Sequence, residues 1–291
     1  MKKHLRSAAS HSQKGHTPMK ILIAADMEGI TGVVDSDHTD STHAEYGRFR
    51  RLMTGDVNAA IRGAFDGGAN EVIVSDGHGH GANILIEELD GRGRLNSGTP
   101  RPYSMIEGID AGVDGVLLIG YHARVGTSNA ILDHTWSGAR VAGVWLNEQP
   151  MGEIGVNAAV CGHFRAPVLM ISGDQSACAE ANALLGAIEM VVVKQAKGRM
   201  AAECLPPEVT QEKIRKAAKR AVKRLAAGDA PRPFRMDPPL TVAVEFVRSE
   251  MADAAAILPG ATRPDGKRVE FVAADMPTAY RAFRALVGLA G

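Results

Sequence analysis

The sequence predicts an α/β fold, with a largely parallel sheet flanked by helices and a smaller C-terminal α+β domain. From Met19 to about Lys194, short apolar runs alternate with segments whose apolar residues recur at helical spacing. This alternation is typical of parallel strands joined by helices. A proline-rich break then precedes a shorter β-α-β-α pattern, which indicates a second, smaller unit.

In the first unit, local signals predict each element in turn. Lys20–Ala25 has the sequence KILIAA and is the first strand. Thr42 and Glu45 have the spacing of a capping box, and they precede a helix that ends near Gly68. Further strands are predicted at 71–75, 115–120, 140–146, 167–172 and 190–194, and further helices at 153–164 and, with Asp174 as N-cap, at 175–185.

The second unit begins after a boundary between Lys194 and Pro206, so we expect domains at 19–196 and 197–291. A strongly basic helix is predicted at 210–227, and its charges are best interpreted as the solvated face of an amphipathic helix. Strands at 240–247 and 269–273 and helices at 250–258 and 277–289 follow.

Composition excludes several classes of partner. Lys plus Arg and Asp plus Glu number 33 each, so the net charge is zero and no global field favours nucleic acid or an anionic membrane. No apolar run reaches the ~18–20 residues that span a bilayer. The three cysteines form no CxxC pair and predict reduced thiols, hence a cytoplasmic protein.

Residues 1–18 predict a disordered extension in front of the folded chain. The segment carries Lys2, Lys3 and Arg6, but it lacks the apolar stretch that a secretory signal peptide requires. We therefore expect the catalytic domain to begin at Met19, and we leave the histidines of the extension out of the site.

Acidic and imidazole side chains follow several predicted strands. Asp26 and Glu28 follow the first strand, and residues i and i+2 of an extended chain point to the same side. His78 follows the second strand and His122 the third, while Glu153 begins a helix. Because ligands of open α/β sheets bind beyond the carboxyl ends of the strands, we expect these side chains to meet in one crevice.

Such a set of ligands predicts a metal centre. Neighbouring carboxylates repel one another unless a cation neutralises them, and mixed carboxylate and imidazole ligands suit Zn²⁺. Five ligands are more than one tetrahedral ion uses, but they suit two ions roughly 3.5–4 Å apart. Each residue alone has a plainer explanation, such as a solvated turn, a surface histidine or a helix-dipole contact. Their convergence favours the metal.

A glycine-rich motif offers a different interpretation. The segment 77–82 has the sequence GHGHGA and follows a strand, which matches the G-x-G-x-x-A pattern of dinucleotide-binding proteins. That motif belongs on the first strand of a βαβ unit with a long helix behind it, and only a short segment follows here. We interpret the glycines as allowing a tight turn around His78.

The same residues lie in sequence blocks that resemble the zinc-dependent D-aminopeptidase family. The resemblance runs from about Met19 to the C-terminus, and its blocks occur in family order. They are DMEGITG (26–32), SDGH (75–78), PYSMIEG (102–108), GYHAR (120–124), GEIGVNA (152–158) and PVLM (167–170).

The resemblance implies two Zn²⁺ per subunit, with Asp26 as the bridging carboxylate. The other implied ligands are Glu28, His78, His122 and Glu153. His134, in the connection after the third strand, matches the catalytic histidine of the family, its nucleophile or base. The resemblance also implies a ring-shaped homo-oligomer.

The predicted activity is release of an N-terminal D-amino acid, D-alanine above all, from short peptides. Two alternatives stay open. One is a binuclear metallohydrolase of another bond, such as a phosphoester or another amide, for which Arg124 is the obvious anion clamp. The other is a non-catalytic, metal-stabilised peptide-binding module, although structural zinc sites are usually rich in cysteine.

Overall fold

The structure, a computed structural model, describes residues 18–291. Nearly all of the predicted extension, residues 1–17, therefore lies outside the described residues. Within the described part, no helix is long and apolar enough to cross a membrane. Cys161 and Cys178 are buried thiols, and Cys204 is exposed.

Within residues 18–291, twelve strands form two sheets. In chain order they are β1 (Lys20–Ala25), β2 (Glu71–Asp76), β3 (Gly93–Asn96), β4 (Gly115–Ile119), β5 (Val141–Leu146), β6 (Gln149–Pro150), β7 (Val168–Asp174), β8 (Glu189–Ala196), β9 (Ala202–Cys204), β10 (Leu240–Phe246), β11 (Ala261–Thr262) and β12 (Arg268–Ala273).

The larger sheet has the strand order β3-β2-β1-β4-β7-β8-β9 and is parallel except for β9. The predicted parallel sheet is therefore confirmed. Its central strands β1, β2, β4 and β7 are almost wholly buried, as expected of a sheet covered on both faces. Ala25 at the end of β1 lies beside both Asp76 of β2 and Ile119 of β4. Three carboxyl ends thus meet at the middle of the sheet.

The smaller sheet is antiparallel, in the order β11-β12-β10-β5-β6. The strand predicted at 140–146 exists as β5, but it pairs with β10 in this second sheet and not with the parallel strands. Strand periodicity is a local property, whereas the pairing partner lies about a hundred residues further along the chain. The pattern predicted the element and could not predict its neighbour.

The described part of the chain has six α-helices: α1 (Tyr46–Gly67), α2 (Glu153–His163), α3 (Gln175–Leu185), α4 (Pro207–Ala226), α5 (Ser249–Ala255) and α6 (Met276–Leu289). Helices α1 and α4 pack together on one face of the large sheet, over buried residues of β1. On the other face, one continuous apolar core joins the large sheet to α2, α6 and β10.

Two contacts join the two predicted domains. Strand β5 comes from the first half of the chain and pairs with β10, while α4, from the second half, packs against α1. The division into 19–196 and 197–291 stays a prediction, and the two sheets share one apolar core.

Helix ends test the predicted caps. Asp174 accepts hydrogen bonds from the backbone N–H groups of Ser176 and Ala177, which confirms it as the N-cap of α3. Gly68 ends α1 in the left-handed conformation. The capping box predicted at Thr42 is wrong: α1 begins at Tyr46 without a side-chain cap, because the Thr42 hydroxyl donates to Asp40 instead.

The contact between α1 and α4 depends on Gly63. A Cβ at this position would lie 2.3 Å from the carbonyl oxygen of Arg215 and 2.7 Å from the Cβ of Ala218. We expect Gly63→Ala to lower the free energy of unfolding by about 1–3 kcal/mol, because the helices must separate to admit the methyl group. Gly47→Ala in the same helix meets nothing within 4 Å, and it should be neutral or stabilising by up to ~1 kcal/mol. Urea denaturation measures both, and equal midpoints would contradict the prediction.

Candidate metal centre

Three neighbouring strands of the large sheet deliver side chains to one place. Asp26 follows β1, while His78 and His122 follow β2 and β4, the two strands that flank β1. Glu153 is the first residue of α2, and His134 lies in the connection between β4 and β5. Asp26, His78, His134 and Glu153 all line one cavity of about 350 Å³.

The distances between these groups place Asp26 at the centre of the cluster. His78 Nδ1 lies 3.5 Å from Asp26 Oδ1 and 3.1 Å from Glu28 Oε2. His122 Nε2 lies 3.4 Å from Asp26 Oδ2 and also 3.4 Å from Glu153 Oε1. The two oxygens of Asp26 therefore face two different imidazoles, as a bridging carboxylate requires.

Backbone carbonyls orient all three imidazoles. His122 Nδ1 donates to the carbonyl of Ala123, and His134 Nδ1 donates to that of Leu132, both at 2.9 Å. His78 Nε2 donates to the carbonyl of Thr39 at 3.1 Å. A carbonyl only accepts, so these nitrogens carry the proton. The other nitrogen of each ring then presents its lone pair, which is the usual arrangement of a metal-binding histidine.

Two buried atoms at the centre have no hydrogen-bond partner. They are Asp26 Oδ2 and His122 Nε2, which face each other at 3.4 Å. Buried polar atoms are normally paired, and leaving them unpaired costs free energy. With Nδ1 of His122 as the donor, both of these atoms are acceptors, and a shared cation satisfies both at once. The residues present therefore fit a metal ion.

The charges of the cluster shift the pKa values of its members. Burial, reinforced by the charge of Glu28, raises the pKa of Asp26 to about 6. Burial opposes the charged form of Glu28 as well, but the charge of His78 outweighs it and lowers the pKa of Glu28. Burial would lower the pKa of His122, yet the charges of Glu153 and Asp26 raise it well above its usual value. Protons and a divalent cation thus compete for the same atoms.

The cluster offers more than one set of ligands. One triad consists of Asp26, Glu28 and His122, and a second of His122, His134 and Glu153; in each, the donor atoms lie within 4.8 Å of one another. The rings of His122 and His134 stack with their centroids 4.1 Å apart. The triads share His122, whose free nitrogen Nε2 can bind one ion, so they are overlapping sets of candidate ligands.

Two glycines allow the segments that follow β1 and β4 to come into contact. A Cβ on Gly29 would lie 2.0 Å from the carbonyl oxygen of Tyr121, and one on Gly120 would lie 2.3 Å from that of Asp26. Gly29 N–H donates to the carbonyl of Gly120 at 2.8 Å. These contacts explain in physical terms why the blocks around Asp26 and His122 contain glycine.

Several supporting residues escaped the sequence analysis. The buried Lys194 donates to the carbonyls of Glu28, Ile30 and Val33, at 2.6, 2.8 and 2.6 Å, and so fixes the loop behind Asp26. The sequence contained one sign of this role, because Lys194 is the only charged residue in the strand predicted at 190–194. Trp136 N–H donates to Glu153 Oε1 at 2.6 Å. This bond comes from the backbone, so the residue type at position 136 does not predict it.

Other residues of the cavity come from distant parts of the chain. Arg140, just before β5, and Arg284, on α6, both line it. No local pattern connects them to the strand ends. His80, the second histidine of the glycine-rich turn, is exposed and does not line the cavity, and Arg124 lines a different one.

Known proteins resemble this chain over nearly its whole length. The family model of peptidase M55, described as D-aminopeptidase, matches residues 19–285. A D-aminopeptidase of Bacillus subtilis (strain 168) is 36% identical over 279 residues, which cover 94% of this chain and 98% of that protein. The solved structure of the "Zn-dependent D-aminopeptidase DppA from Bacillus subtilis, a self-compartmentalizing protease" superposes with a TM-score of 0.88 at 34% identity, covering 94% of this chain and 98% of that one.

The three hydrogen bonds of Lys194 predict a large effect on stability. Burial of this amine lowers its pKa to about 8, a cost that the three carbonyls offset. Lys194→Met would leave the carbonyls of Glu28 and Val33 without a donor, whereas the Ile30 carbonyl still accepts from Val33 N–H. We therefore expect the free energy of unfolding to fall by about 2–5 kcal/mol. Lys197→Met is the matched control, since that side chain is exposed, and its effect should stay within ~0.5 kcal/mol. Chemical denaturation measures the free energy of unfolding of both variants. Similar losses for the two would refute the role of Lys194.

Proposed function

The chain belongs to the D-aminopeptidase family, peptidase M55, and on that premise we propose that it is a two-zinc aminopeptidase that releases N-terminal D-amino acids, D-alanine above all, from short peptides. One observation carries the proposal most directly. The unpaired oxygen Asp26 Oδ2 and the unpaired nitrogen His122 Nε2 face each other inside a buried group of carboxylates and imidazoles. A metal cation shared between them would satisfy both.

The proposed ligands are Asp26, Glu28, His78, His122 and Glu153. Asp26 would bridge, because Oδ1 faces His78 and Oδ2 faces His122. Bound zinc ions would supply Lewis acidity toward the scissile carbonyl and lower the pKa of a coordinated water toward ~7. The α-amine of the peptide would lie near the second ion or Glu28.

His134 would move the proton of the attacking water. Its Nδ1 is held by the carbonyl of Leu132, so Nε2 presents a lone pair on the cavity side, 3.7 Å from Glu153 Oε1. Nε2 takes the proton as the C–O bond forms, and it returns a proton to the leaving nitrogen as the C–N bond breaks. Glu153 stabilises the transient imidazolium through its charge. The products are a free amino acid and a shortened peptide.

Phosphoester hydrolysis is the second candidate, because two arginines line the cavity and guanidinium groups bind phosphate well. The family assignment favours the peptidase. The third possibility from the sequence, a non-catalytic module with a structural metal, is disfavoured because none of the clustered ligands is a cysteine and the cluster opens into a cavity.

We also propose a cytoplasmic, ring-shaped homo-oligomer. The related DppA is described as a self-compartmentalizing protease, and this chain covers 98% of it. Large apolar side chains lie exposed in the C-terminal part of the chain, among them Ile257 after α5, Val272 on β12 and Leu289 at the end of α6.

Turnover of stereoisomers tests the proposed activity. We expect hydrolysis of D-Ala-D-Ala to be strongly favoured over L-Ala-L-Ala, and we expect a chelator to abolish it because the zinc ions supply the Lewis acid. Release of free alanine is measured, with p-nitrophenyl phosphate as the substrate for the second candidate. Turnover of the phosphate ester alone, or chelator-resistant peptide turnover, would contradict the proposal.

The two stacked histidines should differ in their effects on metal content. His122→Ala removes a proposed ligand, so we expect less than two zinc ions per chain and loss of activity. His134→Ala removes the proposed base, so zinc should stay at two while kcat falls by about 10²–10⁴-fold. His80→Ala is the control, because this histidine is exposed and does not line the cavity.

Zinc per chain by elemental analysis and kcat are compared for these three variants. If His134→Ala loses a zinc ion, His134 is a ligand and its assignment as the base is wrong. If His122→Ala keeps both ions and full activity, the proposed site is wrong.

A further inference from the structure

Arg140 lies in the same cavity as the metal cluster and has no charged partner. It lines the cavity with Asp26, His134 and Glu153, and its residue is half-buried. Within residues 18–291, no carboxylate lies within ion-pair distance of its guanidinium group, and the side chain makes no hydrogen bond. A partly buried cation without a partner is unfavourable, which suggests that a ligand supplies the missing anion.

The backbone holds Arg140 firmly in place. Its N–H donates to the carbonyl of Ser137 at 3.1 Å, and its own carbonyl accepts from Val247 N–H at 2.8 Å. Strand β5 begins at the next residue. The preceding loop is fixed as well, because the ring of Trp136 packs against Tyr280 and Phe283. The backbone that carries Arg140 is therefore held in place in the cavity wall, and the guanidinium group extends from this fixed point.

The other arginine of the cavity is already engaged. Arg284 Nη1 donates to the carbonyls of Arg101 and Pro102, at 2.7 and 2.8 Å, and its guanidinium lies 5.8 Å from the centre of the Tyr280 ring. These contacts leave Arg140 as the arginine of the cavity whose donors are all available.

We infer that Arg140 binds the C-terminal carboxylate of the peptide substrate. This inference rests on the proposed aminopeptidase activity. When the amino-terminal residue lies at the cluster, the C-terminal carboxylate is the one anion that every short unmodified peptide carries. Guanidinium groups pair with carboxylates through two parallel hydrogen bonds. The cavity has a volume of about 350 Å³, near the small end of the range for ligand-binding sites. Arg140 therefore favours short peptides, whose C-terminal carboxylate lies close enough to the cluster to pair with the guanidinium group.

Comparison of a peptide acid with its amide tests the role of Arg140. The substrates are D-Ala-D-Ala and D-Ala-D-Ala amide, which differ only in the C-terminal charge. Wild-type enzyme should prefer the acid by on the order of 10- to 100-fold in kcat/KM, the usual worth of a charged hydrogen-bonded pair. Arg140→Gln should remove this preference by raising KM for the acid, while turnover of the amide stays nearly unchanged. Arg140→Lys should restore part of it.

Two further variants locate the effect. Arg281→Gln, on the exposed side of α6 and away from the cavity, should keep the wild-type preference. If Arg284→Gln removes the preference and Arg140→Gln does not, the assignment to Arg140 is wrong.

Turnover of the acid and the amide by the wild-type enzyme tests the inference without any variant, even if a variant fails to fold. Equal turnover of acid and amide by the wild type would overturn the inference and leave the aminopeptidase activity intact. Turnover of neither substrate by zinc-loaded enzyme would contradict the proposed function itself, and the inference would fall with it.

Discussion

Burial of like charges at one edge of a parallel sheet is the constraint on which the rest of this structure depends. Strand β1 lies between β2 and β4, so the residues that follow these strands are forced together. Three carboxylates and three imidazoles share this space, most of them buried. Burial raises the pKa of Asp26 to about 6, which shows how unfavourable the uncompensated charge is. A bound divalent cation would remove this repulsion.

The remainder of the fold holds this edge in place. Gly29 and Gly120 allow two strand ends to touch, and Lys194 fixes the carbonyls of the loop that carries Glu28. The second sheet has a role here too. Because β5 pairs with β10, the connection from β4 leaves the first sheet, and this connection brings His134 and Arg140 to the cavity. The antiparallel sheet therefore helps to build the candidate site as well as to stabilise the fold.

The sequence allowed the parallel sheet and the strand ends to be predicted, because both have local signals. Apolar runs mark β1, β2 and β4, and Asp26, His78 and His122 follow directly. The partner of β5 could not be predicted, since pairing depends on segments about a hundred residues apart. Arg284 joins the cavity from the last helix for the same reason. Lys194 had a signal, a charge within an apolar strand, but its three carbonyl partners belong to a loop with no pattern of its own.

The central claim is that Asp26 and its neighbours share a pair of cations. Anomalous diffraction at the zinc absorption edge, on crystals of the zinc-loaded protein, tests it most directly. The account predicts two peaks roughly 3.5–4 Å apart, with one oxygen of Asp26 bound to each, His122 on one ion and His78 on the other. A single peak, or peaks that Asp26 does not touch, would contradict it.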